Sequence, residues 1–321
     1  MSDNLKKPAA GILFALGGGV VLSVNDLAIK ALSGAYALHQ VILLRAFVGM
    51  AIVLGVIWFS GSGFRQLLTK RPLDHLFRVC IVMCSNITYF VGLSLMPLAD
   101  AVATAFVAPL FVTLMSAVIL GEQVGPRRWL AVGVGMLGVV VMTRPGAGLI
   151  QPAAILVLIS AFCYASSHMM TRRMRLTESA MTLNFFVQCG FILVSLSFGL
   201  VAGDGHLAQA PGSTWEFLFR PWHTPPLGDW WAFLATGVAV GVGGLMMSQA
   251  YRTTEAALIA PFEYIGMPMA IFWGAVVFGT FPDGTAWVGI ALICGAGLYT
   301  LWRETAQKVK DLDVAAPSGD L

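Results

Sequence analysis

Charge is the scarcest commodity in this sequence. Only 11% of its 321 residues are Asp, Glu, Lys or Arg, against about 25% in ordinary soluble domains. That deficit excludes a water-facing globule, which would lack a polar coat. A chain that is 58% hydrophobic finds a matching solvent in lipid. The formal net charge of +3 is too small for a nucleic-acid binder, so no nucleic-acid partner is expected. Cys80, Cys84, Cys163, Cys189 and Cys294 all lie in apolar runs and read as small buried hydrophobes, with no disulfide framework. The five histidines show no metal-ligand spacing, so no metal site is expected. There is no phosphate-binding loop, which argues against ATP-driven transport, and no cluster of catalytic groups, so neither an enzyme nor a cofactor is expected.

Long apolar runs are what the chain has in abundance. About twenty apolar residues cross a bilayer, and candidate spans occur at Gly11–Ala31, Leu38–Phe59, His75–Leu95, Ala101–Leu120, Trp129–Met142, Pro152–Met170, Ala180–Val201, Trp230–Ala250, Ala256–Phe278 and Ala286–Trp302. The first is too long for a signal-peptide core and reads as a retained helix after a polar segment, residues 1–10. Turn signals separate the spans, among them Gly125-Pro126, Pro145-Gly146 and Pro211-Gly212. The one long connection, Ala202–Asp229, carries Trp215 and Trp222 and reads as interfacial. Residues after Lys310 read as a disordered tail. Lys6, Lys7, Arg65, Lys70, Arg71, Arg78, Arg127, Arg128, Arg172, Arg173, Arg175, Arg252, Arg303, Lys308 and Lys310 fall on one set of connections, against Arg144 and Arg220 on the other. That asymmetry places both termini in the cytoplasm.

The chain also repeats itself. The fourth and ninth spans and their successors align so that Pro109 falls near Pro268, Gly121 near Gly279 and Trp129 near Trp287. Two halves of five spans each must enter the membrane in opposite directions, and inverted repeats put a substrate site at their interface. The halves are expected at 11–145 and 151–304, with a cytoplasmic tail at 305–321. Asn25 and Lys30 in the first span, LLRAF around Arg45, APLFVTLMSAVILGE ending at Glu122, PFEYIGMPMAIFWGAVVFG from Pro261, and LYTLWRE ending at Glu304 resemble the drug/metabolite transporter superfamily, specifically the EamA family. The resemblance covers Gly11–Glu304. It implies an all-α membrane protein, ten transmembrane helices as two inverted five-helix repeats around a central cavity, working by alternating access in the bacterial inner membrane. One departure is visible: the first half closes its fourth helix with Gly121-Glu122, the second with Gly279-Thr280.

Ionisable groups inside a membrane are functional candidates by default. Asp26 and Lys30 stand four apart on one helix face, with Arg45 on the next span. They read either as a structural charge cluster or, for Asp26, as a group that binds a proton or cation. Glu263 is the leading candidate for contact with substrate or proton. It sits beside Tyr264, between Pro261 and Pro268, where missing backbone donors kink a helix. Pro109 is a third kink candidate. An acid beside aromatic rings suits a positive substrate. Asn86 and Gln188 are amides that need a partner or a ligand, and Phe106 and Trp273 are mid-span aromatics. Asp100, Glu122 and Glu255 read as helix-end acids. Gly133, Gly135 and Gly138 spell a dinucleotide motif but lack its βαβ context, so close helix packing explains them, as it does Gly237 and Gly241.

The leading reading is a secondary active or facilitative carrier of small organic metabolites, favouring cationic or zwitterionic solutes such as amines, amino-acid derivatives or S-adenosylmethionine-like molecules. Protons are a candidate coupling ion. A riboflavin-like vitamin held by aromatic stacking, and a lipid-flipping subunit, are the alternatives. The chain is expected as a monomer or homodimer.

Overall fold

The computed structural model describes residues 2–61, 63–108, 110–112, 114–115, 126–143, 152–211, 213–254 and 259–315. Among them the regular structure is helical. The long helices are α1 (Ser2–Leu32), α2 (Leu38–Phe59), α3 (Pro72–Leu95), α4 (Leu98–Ala105), α5 (Pro126–Thr143), α6 (Pro152–Met174), α7 (Ala180–Ala202), α8 (Trp230–Thr253), α9 (Gly266–Phe278) and α10 (Gly284–Ala315). Six stretches, carried by α1, α2, α3, α6, α7 and α8, are long and apolar enough to cross a membrane, and shorter apolar helices accompany them.

Local chemistry explains the boundaries. Proline opens α3, α5 and α6, where its fixed φ suits the first turn and its missing N–H costs nothing. The Ser179 hydroxyl caps α7 by accepting from Thr182 N at 3.0 Å. Gly279, at φ 62°, ends α9 in the left-handed conformation. Asp283 accepts from Ala286 N at 2.9 Å at the start of α10.

The sequence reading and the structure part company at both ends of the chain and at the ninth span. Helix α1 reaches back to Ser2, and α10 runs on to Ala315 rather than ending near Trp302. The terminal Glu304, Ala306, Gln307, Lys308 and Lys310 are strong helix formers, so polarity there does not mean disorder. The ninth span is not one helix from Ala256. A 3₁₀ turn, Ala260–Ile265, precedes α9, and Pro268 lies in the first turn of α9. The fourth span is likewise interrupted at Phe106–Val107. Pro109, Gly121, Glu122 and Glu255 lie outside the described residues.

Packing joins α1 to α8, α3 to α6, α5 to α10, and α2 to both α7 and α8. Helices α3 and α6 run antiparallel, with Ser85 opposite Ser160 (Oγ to carbonyl 3.0 Å) and Arg78 opposite Thr171. Small residues let backbones touch: a Cβ on Gly138 would stand 2.9 Å from the Gly289 carbonyl oxygen of α10, and one on Gly241 would stand 3.2 Å from Gly49 Cα of α2. Of the glycine motif on α5, Gly135 and Gly138 serve helix packing, whereas a Cβ on Gly133 would meet nothing within 4 Å among the described residues. The outer surface is apolar: Phe59, Leu176 and Leu200 are each 89% exposed. Polar and charged side chains such as Arg45, Arg78, Gln188 and Thr236 are buried inside. This inside-out distribution belongs to a multi-pass membrane protein.

Candidate functional site

A cavity of about 300 Å³ lies in the interior of the bundle, at the lower edge of ligand-pocket sizes. Its wall draws on α1, α2, α3, α4, α6, α7, α8, the Ala260–Ile265 turn and α9, and carries Asp26, Arg45, Arg78, Asn86, Tyr89, Phe106, Tyr164, His168 and Glu263. The polar residues form two groups.

Asp26 anchors the first. Its carboxylate accepts from the Tyr89 hydroxyl at 3.0 Å and from Asn25 Nδ2 at 3.2 Å. Asn25 Oδ1 in turn accepts from Arg45 Nη1 (3.0 Å) and the Thr236 hydroxyl (2.5 Å). Arg45 Nη2 donates to Asn86 Oδ1 at 2.8 Å, and its guanidinium carbon lies 5.0 Å from the ring centroids of both Phe90 and Phe191. Asp26 and Arg45 are therefore linked through an amide and not by a direct ion pair. Lys30 does not join them. Its ammonium donates to the carbonyls of Leu93 (2.7 Å), Ser94 (3.2 Å) and Met96 (2.8 Å), so it caps the C-terminal end of α3, where a cation complements the helix dipole. The expected three-residue cluster is thus two residues and a bridging asparagine.

Glu263 anchors the second group. The 3₁₀ turn that carries it aims its carboxylate at α6 and α8, where it accepts from the Tyr164 hydroxyl at 2.9 Å and from the Tyr251 hydroxyl. His168 completes the group, stacked on Tyr251 (centroids 4.0 Å, 26°) and edge-on to Tyr164 (4.2 Å, 70°). Both imidazole nitrogens of His168 lack a partner among the described residues. Glu263, Tyr164 and His168 on the cavity wall, with Tyr251 buried behind them, can receive a positive group by ion pairing, cation–π contact and hydrogen bonding.

Other predicted residues take different places. Asn86 and Phe106 line the cavity, while Tyr264, Gln188 and Trp273 do not. The Tyr264 hydroxyl donates to the Phe106 carbonyl at 3.3 Å. Trp273 Nε1 donates to Ser23 Oγ at 3.1 Å. Gln188 is fully buried, with neither end of its amide bonded among the described residues. Sequence reasoning misses Arg78, His168 and Tyr251. Arg78 falls among the loop cations there because it stands near the start of its span. In the structure it is buried, on the cavity wall.

The connection between α7 and α8 folds over the α1–α2 turn. The Tyr36 hydroxyl donates to Asp229 Oδ2 at 2.5 Å, its ring stacks on His223 at 4.6 Å, and Arg220 Nη1 donates to the Ser33 carbonyl at 2.8 Å. Burial, the bond to Asp229 and the charge of Asp229 push the Tyr36 phenol up to about 12.

A bundle with an apolar exterior, charged and polar side chains buried within it and a ligand-sized cavity defines a polytopic membrane protein built around a solute site. Comparison with known proteins supplies the family: the model described as the EamA-like transporter family matches residues 9–144 and again 151–302. The chain belongs to that family, within the drug/metabolite transporter superfamily, and is a small-molecule transporter. It is similar to a riboflavin transporter of Rhizobium johnstonii, 27% identical over 82% of this chain and 81% of that protein. It is also similar to an S-adenosylmethionine uptake transporter of Rickettsia prowazekii, 23% identical over 95% of this chain and 96% of the other. A solved crystal structure shares the fold with a TM-score of 0.68 at 20% identity, covering 92% of this chain and 98% of that one.

Proposed function

We propose that this protein is a secondary active or facilitative carrier of cationic or zwitterionic metabolites, with Glu263 and its tyrosines as the receptor for the positive group. The observation that carries this is the Glu263 carboxylate held by Tyr164 and Tyr251 beside His168 on the cavity wall. An uncharged solute would leave that carboxylate without a counter-charge. Asp26, bridged to Arg45 through Asn25, serves as a second, internally balanced acid. Its partners can exchange as the bundle rearranges, which makes it the candidate for proton coupling.

Alternating access by two inverted five-helix halves, 11–145 and 151–304, accounts for the packing. Exchanging α1–α5 with α6–α10 turns the α1–α8 contact into α6–α3 and returns α2–α7, α4–α9 and α5–α10 to themselves. The double match of the family model supports the same division. The fold then sits in a bacterial inner membrane with both termini cytoplasmic, as the basic residues indicate. A riboflavin-like cargo is the second reading, favoured by the Rhizobium relative and by the aromatic wall.

Uptake into proteoliposomes tests this. The purified chain should take up radiolabelled S-adenosylmethionine, or an amino-acid derivative found by metabolite profiling, faster than empty liposomes, and an imposed pH gradient should change the rate if a proton is coupled. Saturable riboflavin uptake with no response to any charged solute would replace the first reading with the second.

A further inference from the structure

We infer that the same cavity holds an anion-recognition site built on Arg78, so that the substrate carries a carboxylate beside its positive group. This rests on the carrier reading above and narrows it from cations and zwitterions to zwitterions.

Arg78 is 6% exposed, and that residue surface opens onto the cavity wall. Its Nε donates to the Thr171 hydroxyl at 3.0 Å and its Nη1 to the Leu183 carbonyl at 3.1 Å. Both acceptors are neutral. Among the described residues no carboxylate lies within 4.0 Å of it, and Nη2 has no hydrogen-bond partner. The guanidinium is thus fixed in plane by two bonds while one edge keeps spare N–H groups. A buried cation without a counter-ion is costly, and a bound anion removes that cost.

A second side chain points to the same ligand. His168 stands three residues from Thr171 on α6, is 7% exposed, and has both ring nitrogens unpartnered among the described residues while lining the cavity. It can donate to an anion that Arg78 holds. Arg45 is a different case. Both its terminal nitrogens are committed to asparagine oxygens and its face is covered by two phenyl rings, so it balances Asp26 and is not a receptor. Arg78 and Tyr89 are eleven residues apart on α3, about 16 Å of helix rise, which keeps the Arg78 end apart from the Asp26 group. The Glu263 group is close to the Arg78 end, because Tyr164 and His168 share α6 with Thr171. One spare guanidinium edge near an acid suits a monoanion better than a phosphate dianion. An α-amino acid or its derivative presents the required pair: a carboxylate for Arg78 and His168, and an ammonium for Glu263.

A panel of paired compounds tests this without an identified cargo. Full-length protein in nanodiscs is titrated with amino acids, each alongside its carboxamide and its decarboxylated amine, and with S-adenosylmethionine and its decarboxylated form; thermal stabilisation gives the apparent affinity. The compounds that bind should carry a carboxylate and lose about tenfold or more when it is replaced by an amide, the scale of a charge-assisted hydrogen bond. Arg78→Gln should bring acid and amide within twofold of each other, and Arg78→Lys, which keeps charge but loses the fork, should fall between. A purely structural Arg78 would lower the unliganded melting point and leave the acid-to-amide ratio alone. Equal affinity of wild type for acid and amide, or a folded Arg78→Gln that keeps the tenfold ratio, overturns the anion site and leaves the carrier reading standing. Binding of riboflavin with no response to any charged compound overturns the cargo reading and this site with it.

Discussion

Replacing Glu263 by Gln is the sharpest single perturbation of the proposed receptor. The change preserves shape and leaves one oxygen to accept from Tyr164 or Tyr251, which now hold the acid by hydroxyl donation. Tyr164, which lines the cavity, can turn to accept from the new NH₂ group and direct its own O–H into the cavity, so the fold should survive. What disappears is the charge. A hydrogen bond to a charged group is worth about 1.5–3 kcal/mol against about 0.5–1.5 for a neutral one. The loss for a bound ammonium is therefore about 1–2 kcal/mol, or roughly 5- to 30-fold in affinity. Counterflow in proteoliposomes with wild type and Glu263→Gln, each assayed with a positively charged solute and with riboflavin, measures it. The apparent Km for the charged solute should rise by that factor while riboflavin changes less than threefold. Tyr251→Phe, which keeps the carboxylate and the stacked ring over His168, should retain the preference for positive cargo. An unchanged Km for the charged solute in a correctly inserted Glu263→Gln would refute the reasoning, because a carboxylate in contact with a cation cannot be neutralised without cost.

Three further substitutions probe the scaffold. Gln188→Leu removes an amide that is fully buried with both ends unbonded among the described residues; since an unpaired buried polar group costs about 1–3 kcal/mol, the variant should melt no lower than wild type and keep substrate affinity. Gly138→Val places a Cβ about 2.9 Å from the Gly289 carbonyl oxygen, which as backbone cannot step aside, so the α5–α10 contact should lose about 1–3 kcal/mol and the melting temperature should drop. The Tyr36 phenol binds its proton more tightly in the fold than in the unfolded chain, its pKa being pushed up to about 12. Its stabilising contribution is therefore complete below about pH 10 and lost as pH rises towards 12. Melting temperatures taken from pH 8 to 12 should show a steeper alkaline decline in wild type than in Tyr36→Phe, and parallel curves would count against a buried clasp to Asp229.

Much of the architecture is legible in the apolar runs alone, because lipid imposes a span length that sequence must meet. Leu38–Phe59 is one helix with those ends. The ninth span is harder. Its prolines announce an irregularity, but not that the chain would make a 3₁₀ turn from Ala260 to Ile265 and turn Glu263 toward two tyrosines. Membership of the site depends on helix rotation, which hydropathy does not report when every face is apolar. That is why Arg78, six residues into α3, reads as an interfacial cation, and why Tyr251 falls beyond the expected end of α8 at Ala250. Lys30 illustrates the opposite error. Spacing of four residues from Asp26 offers a partner, but the C-terminal carbonyls of α3 are within reach and have no donors of their own. Spacing tests a histidine such as His168 only as a metal ligand, although an imidazole between phenol rings has other uses.

The two interrupted segments tie the scaffold to the site. A continuous helix through Phe106 and one through Glu263 would satisfy its own backbone and present a smooth apolar cylinder to the middle of the bundle. Instead Leu110 N bonds the Val107 carbonyl three residues back at 2.9 Å. The Phe106 carbonyl accepts from the Tyr264 hydroxyl at 3.3 Å, and the Phe106 and Tyr264 rings meet at 5.0 Å. The breaks are therefore paired, one serving the other, and the residue before Tyr264 is Glu263. Non-helical backbone at membrane depth is tolerated only where protein or a cavity supplies its hydrogen bonds. Here the support comes from the opposite half of the chain. Under the alternating access proposed above, a movement of one half against the other would act on these two turns, which adjoin Glu263 in the chain. Tyr164 belongs to α6 and Tyr251 to α8, and a rigid rotation of the second half would carry both with Glu263, whereas Phe106 would stay with the first. In that movement the Phe106–Tyr264 contact would change together with the other contacts that join the halves, Arg78–Thr171 and Ser85–Ser160 among them, while Glu263 and its two tyrosines would move as one group.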